Sequence, residues 1–266
     1  MHRLFDISHN AFARGNDFVD FIETKDAVAQ IDAFVPAITE LPEALRPTLL
    51  LTPPLYHSLA DGIADNRRIN DALLANSTRL GGFAAGIVEP KFGDAAMREI
   101  ERIAGLGAKA IVWSARAQGV FVNDRLMADL CRHASEQGLI PMIHSAPFSV
   151  NESLERVWSL ARKCEGVPII VAGALASWEN VQAICDNGGG PANLSYELSG
   201  LATTWDLASL VACGCSQRLL FGSGGPRFLT EILKIVDACD IDPEGREAIL
   251  SGNAQRLLML GGGGEA

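Results

Sequence analysis

The sequence predicts a single-domain (β/α)8 TIM barrel, an α/β fold in which parallel strands alternate with helices. Short apolar segments alternate with segments of helical periodicity along the whole chain, with no linker between them. The 266 residues are close to the length of about 250 that is typical of this fold. An open doubly wound sheet is the rival architecture. It is disfavoured because residues 8–12, which follow the first strand, contain no glycine of a dinucleotide-binding fingerprint.

Four strands and three helical segments are predicted in the first half of the chain. The strands are the short apolar runs at residues 4–8, 47–52, 82–88 and 108–113. Helical spacing predicts a mostly helical connection within residues 28–38, a helix from about residue 58 to 75, and another over residues 95–103. The third strand is rich in glycine but continuously apolar, which favours a buried strand over a helix.

The second half continues the alternation. The next strands end at His144 and then cover residues 167–173, 193–199 and 218–222. Helices are predicted over residues 126–134, after residue 152, from residue 177, after residue 203, over residues 228–238 and from residue 242. The barrel domain is therefore expected to span residues 1–260, and the glycine-rich residues 261–266 are expected to form a flexible tail.

The stretch from Gly138 to Pro147 provides the first candidate for a site. Gly138 stands where a left-handed residue ends a helix, and the apolar strand after it delivers His144 at its far end. Ser149 and Glu152 have the spacing of a capping box, which predicts that this pair caps the following helix. Polar groups at the carboxyl ends of parallel strands point into the active site of a barrel, so His144 is expected to be functional.

Composition limits the partners of the protein. A net charge of -10 without a basic cluster argues against nucleic acids and anionic membranes and favours a small molecule. An acid at position 6 interrupts any signal-peptide core, and the longest apolar run, Val167 to Ala176, is too short to span a bilayer. The six cysteines show no disulfide pattern of secreted proteins, which predicts a reduced, cytoplasmic protein. Cys213 and Cys215 lack a second ligand pair, so packing is favoured over metal binding.

Several segments resemble the amidohydrolase-related family, the barrel hydrolases and decarboxylases of the metal-dependent hydrolase superfamily. They occur in the family's order over most of the chain: Phe5 to Asn10, Asn76 to Phe83, Glu99 to Ile103 with Gly107, Pro141 to His144, Leu220 to Pro226, and Asn253 to Leu258. The resemblance implies a barrel fold and a site for a divalent metal. The implied ligands are a His-x-His pair after strand one, one His each after strands five and six, and an Asp after strand eight.

The positions of these ligands carry other residues in this chain. The His-x-His pair falls on Ser8 and Asn10, the strand-six histidine on Gly173, and the strand-eight aspartate on Gly224, so that only His144 remains. One imidazole with a hydroxyl and an amide is a poor set of ligands for a divalent ion. We therefore expect no metal cofactor, although a divalent metal is not excluded, and the aspartate that usually serves as general base is missing.

Alternation along the strands predicts which side chains share the barrel mouth. If Asp6, Ser8 and Asn10 face inward, then so do His144 and the set Asn193, Ser195, Glu197 and Ser199. His144 and Glu197 are then the candidate acid–base pair, Glu197 being the acid expected near His144. An equally open alternative is that the two side chains only satisfy each other or the backbone.

Further residues are candidates for substrate binding. Ser8, Asn10 and Ser199 are expected in the mouth, and Trp113 and Arg116 are expected in its wall, where a packing role is about equally favoured. Ser223 and Arg227 belong to a glycine-rich turn after strand eight that either binds an anion or simply ends the strand. His9 is expected to point away from the mouth, and His57 lies in the second loop.

These residues lead to three functional hypotheses. The first is a metal-independent hydrolase of a small ester, lactone or carboxylate that uses His144 with Glu197, and Arg116 or Arg227 to hold an anion. The second is a non-catalytic barrel that binds a ligand or a partner. The third is a metal-dependent hydrolase or decarboxylase whose rebuilt ligand set includes His9, His144 and Glu197. A homo-oligomer is compatible with all three.

Overall fold

The computed structural model describes residues 4–10, 28–29, 31–32, 38, 46–53, 62–225 and 228–260. The strands are β1 (Phe5–Asn10), β2 (Thr48–Thr52), β3 (Phe83–Ile87), β4 (Ala110–Trp113), β5 (Ile140–His144), β6 (Ile169–Ala172), β7 (Leu194–Glu197) and β8 (Leu219–Leu220). From residue 62 onward the first helices are α1 (Ile63–Arg79), α2 (Asp94–Gly105), α3 (Arg125–Glu136), α4 (Leu154–Lys163), α5 (Trp178–Asp186) and α6 (Thr204–Ala212). They are followed by α7 (Leu229–Ala238), α8 (Pro243–Glu247) and α9 (Asn253–Leu260).

The strands form one parallel sheet in the order β1 to β8, each paired with its neighbours in the chain. The N–H of Ile7 in β1 donates to the carbonyl oxygen of Phe221, just after β8, at 3.0 Å, so the last strand is joined to the first. A sheet that closes in this way, with helices between successive strands, is the predicted (β/α)8 barrel. In the described part of the chain, no helix is long and apolar enough to cross a membrane.

Alternation divides the strand side chains between two buried layers. One cluster fills the barrel with residues from seven of the strands, among them Leu50, Val112, Met142 and Ile170. The other packs the outward-facing residues against the helices. The predicted outward set of β7 is confirmed, since Leu194, Tyr196 and Leu198 all belong to the helix-facing cluster. Both faces of the strands are thus largely apolar, although Asp6 in β1 and Ser195 in β7 are polar residues within a strand.

Most predicted segment ends are confirmed to within a few residues. Gly138 has φ +77° just after α3, as predicted, and residues 28–29, 31–32 and 38 are helical. Asp242 caps α8 by accepting from the N–H of Gly245, and Thr203 caps α6 by accepting from the N–H of Asp206. Helix α1 ends at Arg79, four residues beyond the predicted end at residue 75. The predicted tail, residues 261–266, lies outside the described residues.

A buried polar network ties α1 and α2 to β3. The Asn70 side chain accepts from the N–H of Ile87 at 2.7 Å and donates both to its carbonyl at 3.0 Å and to Glu99 at 2.8 Å. Burial of Glu99 raises its pKa, but hydrogen bonds from Arg102, Asn70 and Arg67 outweigh this effect, so its pKa lies below the ordinary value. The ionised carboxylate therefore stabilises the contact between these two helices and the sheet.

We expect Glu99→Gln to lower the free energy of unfolding by about 2–4 kcal/mol at neutral pH, because the guanidinium groups lose their carboxylate. A lowered pKa stabilises the fold above the ordinary pKa, and this contribution is lost as the pH falls through the pKa of the folded state. The difference from wild type should therefore shrink in acid. Urea unfolding at several pH values measures both effects.

The matched control is Asp71→Asn, because Asp71 also accepts from Arg102 but its side chain is 59% exposed. This change should alter the unfolding free energy by less than about 1 kcal/mol. Equal losses in the two variants at every pH would contradict a stabilising role for the buried carboxylate.

Candidate functional site

His144 lies at the carboxyl end of β5, on the side that faces the barrel interior. It follows Ile140 and Met142, which pack inside the barrel, by the two-residue alternation of a strand. Its side chain is 18% exposed, and Nδ1 lies 3.0 Å from Oε1 of Glu152. No hydrogen bond to Nε2 is found among the described residues, so this nitrogen remains available at the mouth.

Glu152 is a site residue that the sequence analysis missed. The prediction that Ser149 and Glu152 cap the next helix is wrong, because α4 begins at Leu154 with Ser153 as its N-cap residue. The Glu152 carboxylate instead accepts from the Ser114 hydroxyl at 3.2 Å and from the N–H of Arg116 at 3.0 Å, in addition to its contact with His144. It therefore joins the loops after β4 and β5.

This carboxylate is fully buried, with 0% exposure, and the side chain of Arg116 approaches it with Nε 3.7 Å from Oε1. An imidazole whose Nδ1 is held by a buried carboxylate has one tautomer and one orientation, with Nε2 as the proton acceptor. The arrangement is that of a general base with its orienting group. Arg116, which is half-exposed, adds a positive charge beside it.

Glu197 lies at the end of β7 and is also fully buried. Its carboxylate accepts from the N–H of Gly173 at 2.8 Å, from the N–H of Ser199 at 2.8 Å and from the Ser199 hydroxyl. Burial raises the pKa of Glu197 to about 7, an effect that these three hydrogen bonds reduce and the charge of Asp6 increases. The carboxyl group is thus poised to exchange a proton near neutral pH.

Gly173 separates the two predicted catalytic residues. Its N–H binds Glu197, while a Cβ built on it would lie 2.9 Å from Nε2 of His144 and 3.1 Å from the carbonyl oxygen of Ser145. Its φ of +74° is the left-handed conformation that favours glycine. His144 and Glu197 therefore lie on either side of one residue, but the described structure gives His144 a direct hydrogen bond to Glu152 and not to Glu197.

A third carboxylate, Asp6, lies at the point where the barrel closes. Ser223 donates to it with its N–H at 2.9 Å and its hydroxyl at 2.6 Å, and both residues are almost fully buried. The prediction that Asp6 faces the interior is not met, because Phe5 and Ile7 belong to the interior cluster. Ser223, predicted to bind substrate, uses its hydroxyl inside this buried contact and also accepts from the N–H of Gly225 at 3.1 Å.

The described residues do not fit a divalent metal ion. Among them, no three His, Cys, Asp or Glu side chains are grouped so as to hold one. Gly224 has φ +72°, and a Cβ there would lie 3.1 Å from Cβ of Ser199, so neither Gly173 nor Gly224 has room for a ligand side chain without movement. The oxygens of Glu197 already accept hydrogen bonds from Gly173 and Ser199.

Two other placements correct the sequence analysis. Trp113 does not line the mouth, because it is fully buried in the helix-facing cluster and donates to the carbonyl of Val88 at 3.1 Å. The inward position belongs to its neighbour Ser114. Asn193 precedes β7 instead of facing the mouth, and its amide donates to carbonyls of the α4 region, including that of Ala161 at 3.1 Å.

Other predicted residues are described only in part. The side chains of Ser8, His9 and Asn10 lie outside the described residues, as do His57 and Arg227. Cys213 and Cys215 have their sulfur atoms 3.5 Å apart as free thiols at the end of α6. The backbone of β1 has an irregular register between Asp6 and His9, which breaks the strict alternation assumed from the sequence.

Comparisons with known proteins agree with the barrel. The family model described as amidohydrolase matches residues 32–260. A 2,6-dihydroxybenzoate decarboxylase from Rhizobium is 14% identical with a TM-score of 0.71, covering 98% of this chain and 99% of its own. A 5-carboxyvanillate decarboxylase from Sphingomonas paucimobilis is 15% identical with a TM-score of 0.66, covering 97% and 99%.

A 5-carboxyvanillate decarboxylase from Novosphingobium aromaticivorans, solved with manganese and a nitrobenzoic acid, is 16% identical with a TM-score of 0.68, covering 97% of this chain and 96% of its own. No curated protein sequence matches the chain. At these identities the structural likeness establishes the fold alone.

We expect the carboxyl group of Glu197 to titrate near pH 7, because burial disfavours its charged form. Carbon-detected NMR of the protein labelled at glutamate carboxyl groups measures this directly, and Glu197→Gln identifies the signal by its disappearance. A Glu197 signal that titrates near 4.5, the ordinary value, would contradict the assignment.

We also expect Gly173→Ala to displace the His144 ring, since the new methyl group would lie 2.9 Å from Nε2. The control is Gly166→Ala, where φ is +84° but nothing lies within 4 Å, so only backbone strain of about 1–2 kcal/mol is added. Urea unfolding and imidazole NMR signals compare the variants. Equal loss of stability in the two variants, with an unchanged His144 signal, would contradict this expectation and show that the imidazole tolerates the added methyl group.

Proposed function

Because the chain belongs to the amidohydrolase family, we propose that it is an enzyme of this barrel class that hydrolyses a small ester or lactone without a metal ion. The proposed catalytic residues are His144 as general base and Glu197 as general acid. The proposal adds Glu152 as the residue that positions His144. It keeps Arg116, and Arg227 outside the described residues, as candidates to hold a carboxylate of the substrate.

The observation that carries the proposal is the contact between His144 and Glu152. A buried carboxylate 3.0 Å from Nδ1 keeps that nitrogen protonated and leaves Nε2 as the acceptor. Ser114 and the N–H of Arg116 hold the carboxylate in turn. Such a layered arrangement costs stability if it has no function, because two buried polar side chains and their donors must be ordered together.

The proposed reaction begins when Nε2 of His144 takes a proton from a water molecule. The water oxygen bonds to the carbonyl carbon, and the bond from that carbon to the leaving oxygen then breaks. Glu197, which is protonated below about pH 7, supplies a proton to the leaving oxygen. The products are a carboxylic acid and an alcohol, or a hydroxy acid from a lactone, and His144 returns its proton to Glu197 through water.

Glu197 reaches the substrate through Ser199 in this proposal. The carboxyl group has no exposed surface, whereas Ser199 is half-buried and its hydroxyl contacts Oε1 of Glu197. The hydroxyl can accept a proton from Glu197 while it donates its own to the leaving oxygen. Ser199, proposed from the sequence as a substrate-binding residue, thus becomes the group that carries the proton.

A second candidate function is a metal-dependent decarboxylase or hydrolase. The observation that favours it is the manganese bound in structurally similar decarboxylases. The chain carries His9, Asn10 and His57 at positions whose side chains lie outside the described residues. The fit of the described residues to a metal is poor, so this candidate requires ligands from those positions.

A cytoplasmic location and a homo-oligomer also remain proposals.

We expect His144→Ala to lower kcat/KM for small esters and lactones by about 100-fold or more, because general-base catalysis contributes at least that factor. Glu152→Gln should lower kcat with little change in KM, since it disorders the base but leaves the mouth in place. The measurement is a spectroscopic assay of a panel of p-nitrophenyl esters and lactones at several pH values. Activity should fall as the pH rises through about 7, where Glu197 loses its proton.

The control is His133→Ala, a histidine on the outer helix α3 that contacts Glu101 at 3.3 Å. It should keep full activity, and circular dichroism should report the same fold in all variants. Full activity in His144→Ala would overturn the mechanism. Activity that needs added manganese, with metal lost from His144→Ala by elemental analysis, would establish the second candidate. No turnover with or without metal would favour a non-catalytic, ligand-binding barrel.

A further inference from the structure

An apolar groove lies on the loops that follow β5, β6 and β7. Its volume is about 680 Å³. Its lining includes the aromatic residues Phe148, Trp178 and Trp205 and the acidic residues Glu179 and Asp206. The segment that begins with Ala174 directly follows Gly173, so the groove adjoins the mouth of the barrel without including His144 or Glu197.

Three aromatic side chains of the groove are exposed to solvent. Phe148 is 97% exposed, Trp178 is 61% exposed and Trp205 is 63% exposed. Phe148 is also the one residue other than glycine with a positive φ, +66°, in the described part of the chain. That conformation costs about 1–2 kcal/mol for a residue with a side chain. Three large rings gathered around one cavity, one of them in a strained conformation, are typical of a binding surface.

The charge of the groove selects the class of ligand. Among the residues that the structure describes, its lining contains Glu179 and Asp206 but no Lys, Arg or His. Helices α5 and α6 begin here, and each helix N-terminus carries about half a positive charge. These ends are already capped, since Ser177 accepts from the N–H of Asn180 and Thr203 from that of Asp206. The negative charge of the two carboxylates therefore exceeds the partial positive charge of the two capped helix ends, and the net charge of the groove is negative.

Another exposed ring of the protein shows what an aromatic side chain attracts. The guanidinium carbon of Arg156 lies 4.6 Å from the ring centre of Phe121, which is also exposed. Among the described residues, no cation covers Phe148, Trp178 or Trp205 in this way. An aromatic surface with adjacent carboxylates binds organic cations, because the faces of the rings attract positive charge.

We propose that this groove binds a small organic cation with an apolar shell, such as a quaternary ammonium or an alkylated amine. The rings of Trp178 and Trp205, with Phe148, contact the apolar shell, and Glu179 balances the charge. Asp206 is buried and accepts a hydrogen bond from Thr203, so its negative charge attracts the cation without touching it. The proposal depends on the groove alone and does not require the reaction at His144.

The test uses three probes of one shape and different charge: choline, 3,3-dimethylbutan-1-ol and 3,3-dimethylbutanoate. Tryptophan fluorescence of the full chain reports binding, because Trp113 and Trp158 are buried and the exposed pair lines the groove. We expect choline to bind about tenfold more tightly than the neutral alcohol, a difference of about 1.4 kcal/mol, because only choline carries the charge that the rings and Glu179 attract. The carboxylate should bind most weakly.

Variants assign the effect to the groove. Trp205→Ala and Glu179→Gln should each weaken choline binding several-fold, measured by ligand-detected NMR so that the signal does not depend on the tryptophans. Glu165→Gln, an exposed acid beyond the end of α4, is the matched control and should change nothing. Circular dichroism checks that each variant is folded.

Three outcomes would overturn the proposal. Equal affinity for choline and the neutral alcohol would show that the groove is merely apolar. Tighter binding of the carboxylate would show that the helix N-termini dominate. A dimer that dissociates in Trp205→Ala by light scattering, without any binding of choline, would show that a second copy of the chain covers the groove.

Discussion

The strict alternation of side chains in a closed parallel sheet is the constraint on which the rest of the structure depends. Each strand residue faces either the filled interior or the ring of helices, and both are apolar. The polar groups of the candidate acid–base site therefore lie at the last residue of a strand or in the loop after it. His144 and Glu197 each end a strand, and Ser114 directly follows one. The same alternation of side chains that places Ser114 at the mouth turns Trp113 away from it.

Much of the architecture follows from the sequence because apolar periodicity is a local property. Eight strands, their order and the helix caps at Thr203 and Asp242 were predicted from it, and the amidohydrolase match supports the family resemblance. The partner of His144 was missed because Glu152 has the spacing of a capping box, and sequence alone does not say whether a carboxylate turns back to its own helix or across to the next loop. The orientation of Asp6 was predicted wrongly for a related reason, since the apolar pattern of residues 4–8 does not reveal the irregular register of β1.

The candidate site combines two fully buried carboxyl groups that have different hydrogen-bond partners. Glu152 is held by the hydroxyl of Ser114, the N–H of Arg116 and the imidazole, all of which can donate hydrogen bonds to it. Glu197 is as deeply buried, and its pKa rises to about 7 in spite of three donors. A histidine oriented by one buried carboxylate and a carboxyl group with a raised pKa, on either side of Gly173, are suited to acid–base catalysis. Gly173 makes the arrangement possible, because any side chain there would occupy the place of the imidazole.

The hydrogen bond from Ile7 to Phe221 also has a consequence for synthesis on the ribosome. The edge of β1 cannot be paired until a segment more than two hundred residues later has been made, because Asp6 and Ser223 are separated by 217 positions. During translation the growing sheet therefore carries an open first edge, which is a template for association with other chains. Closure of the ring is a late, long-range event that slows folding. Chaperones that shield the nascent chain would matter most during this interval.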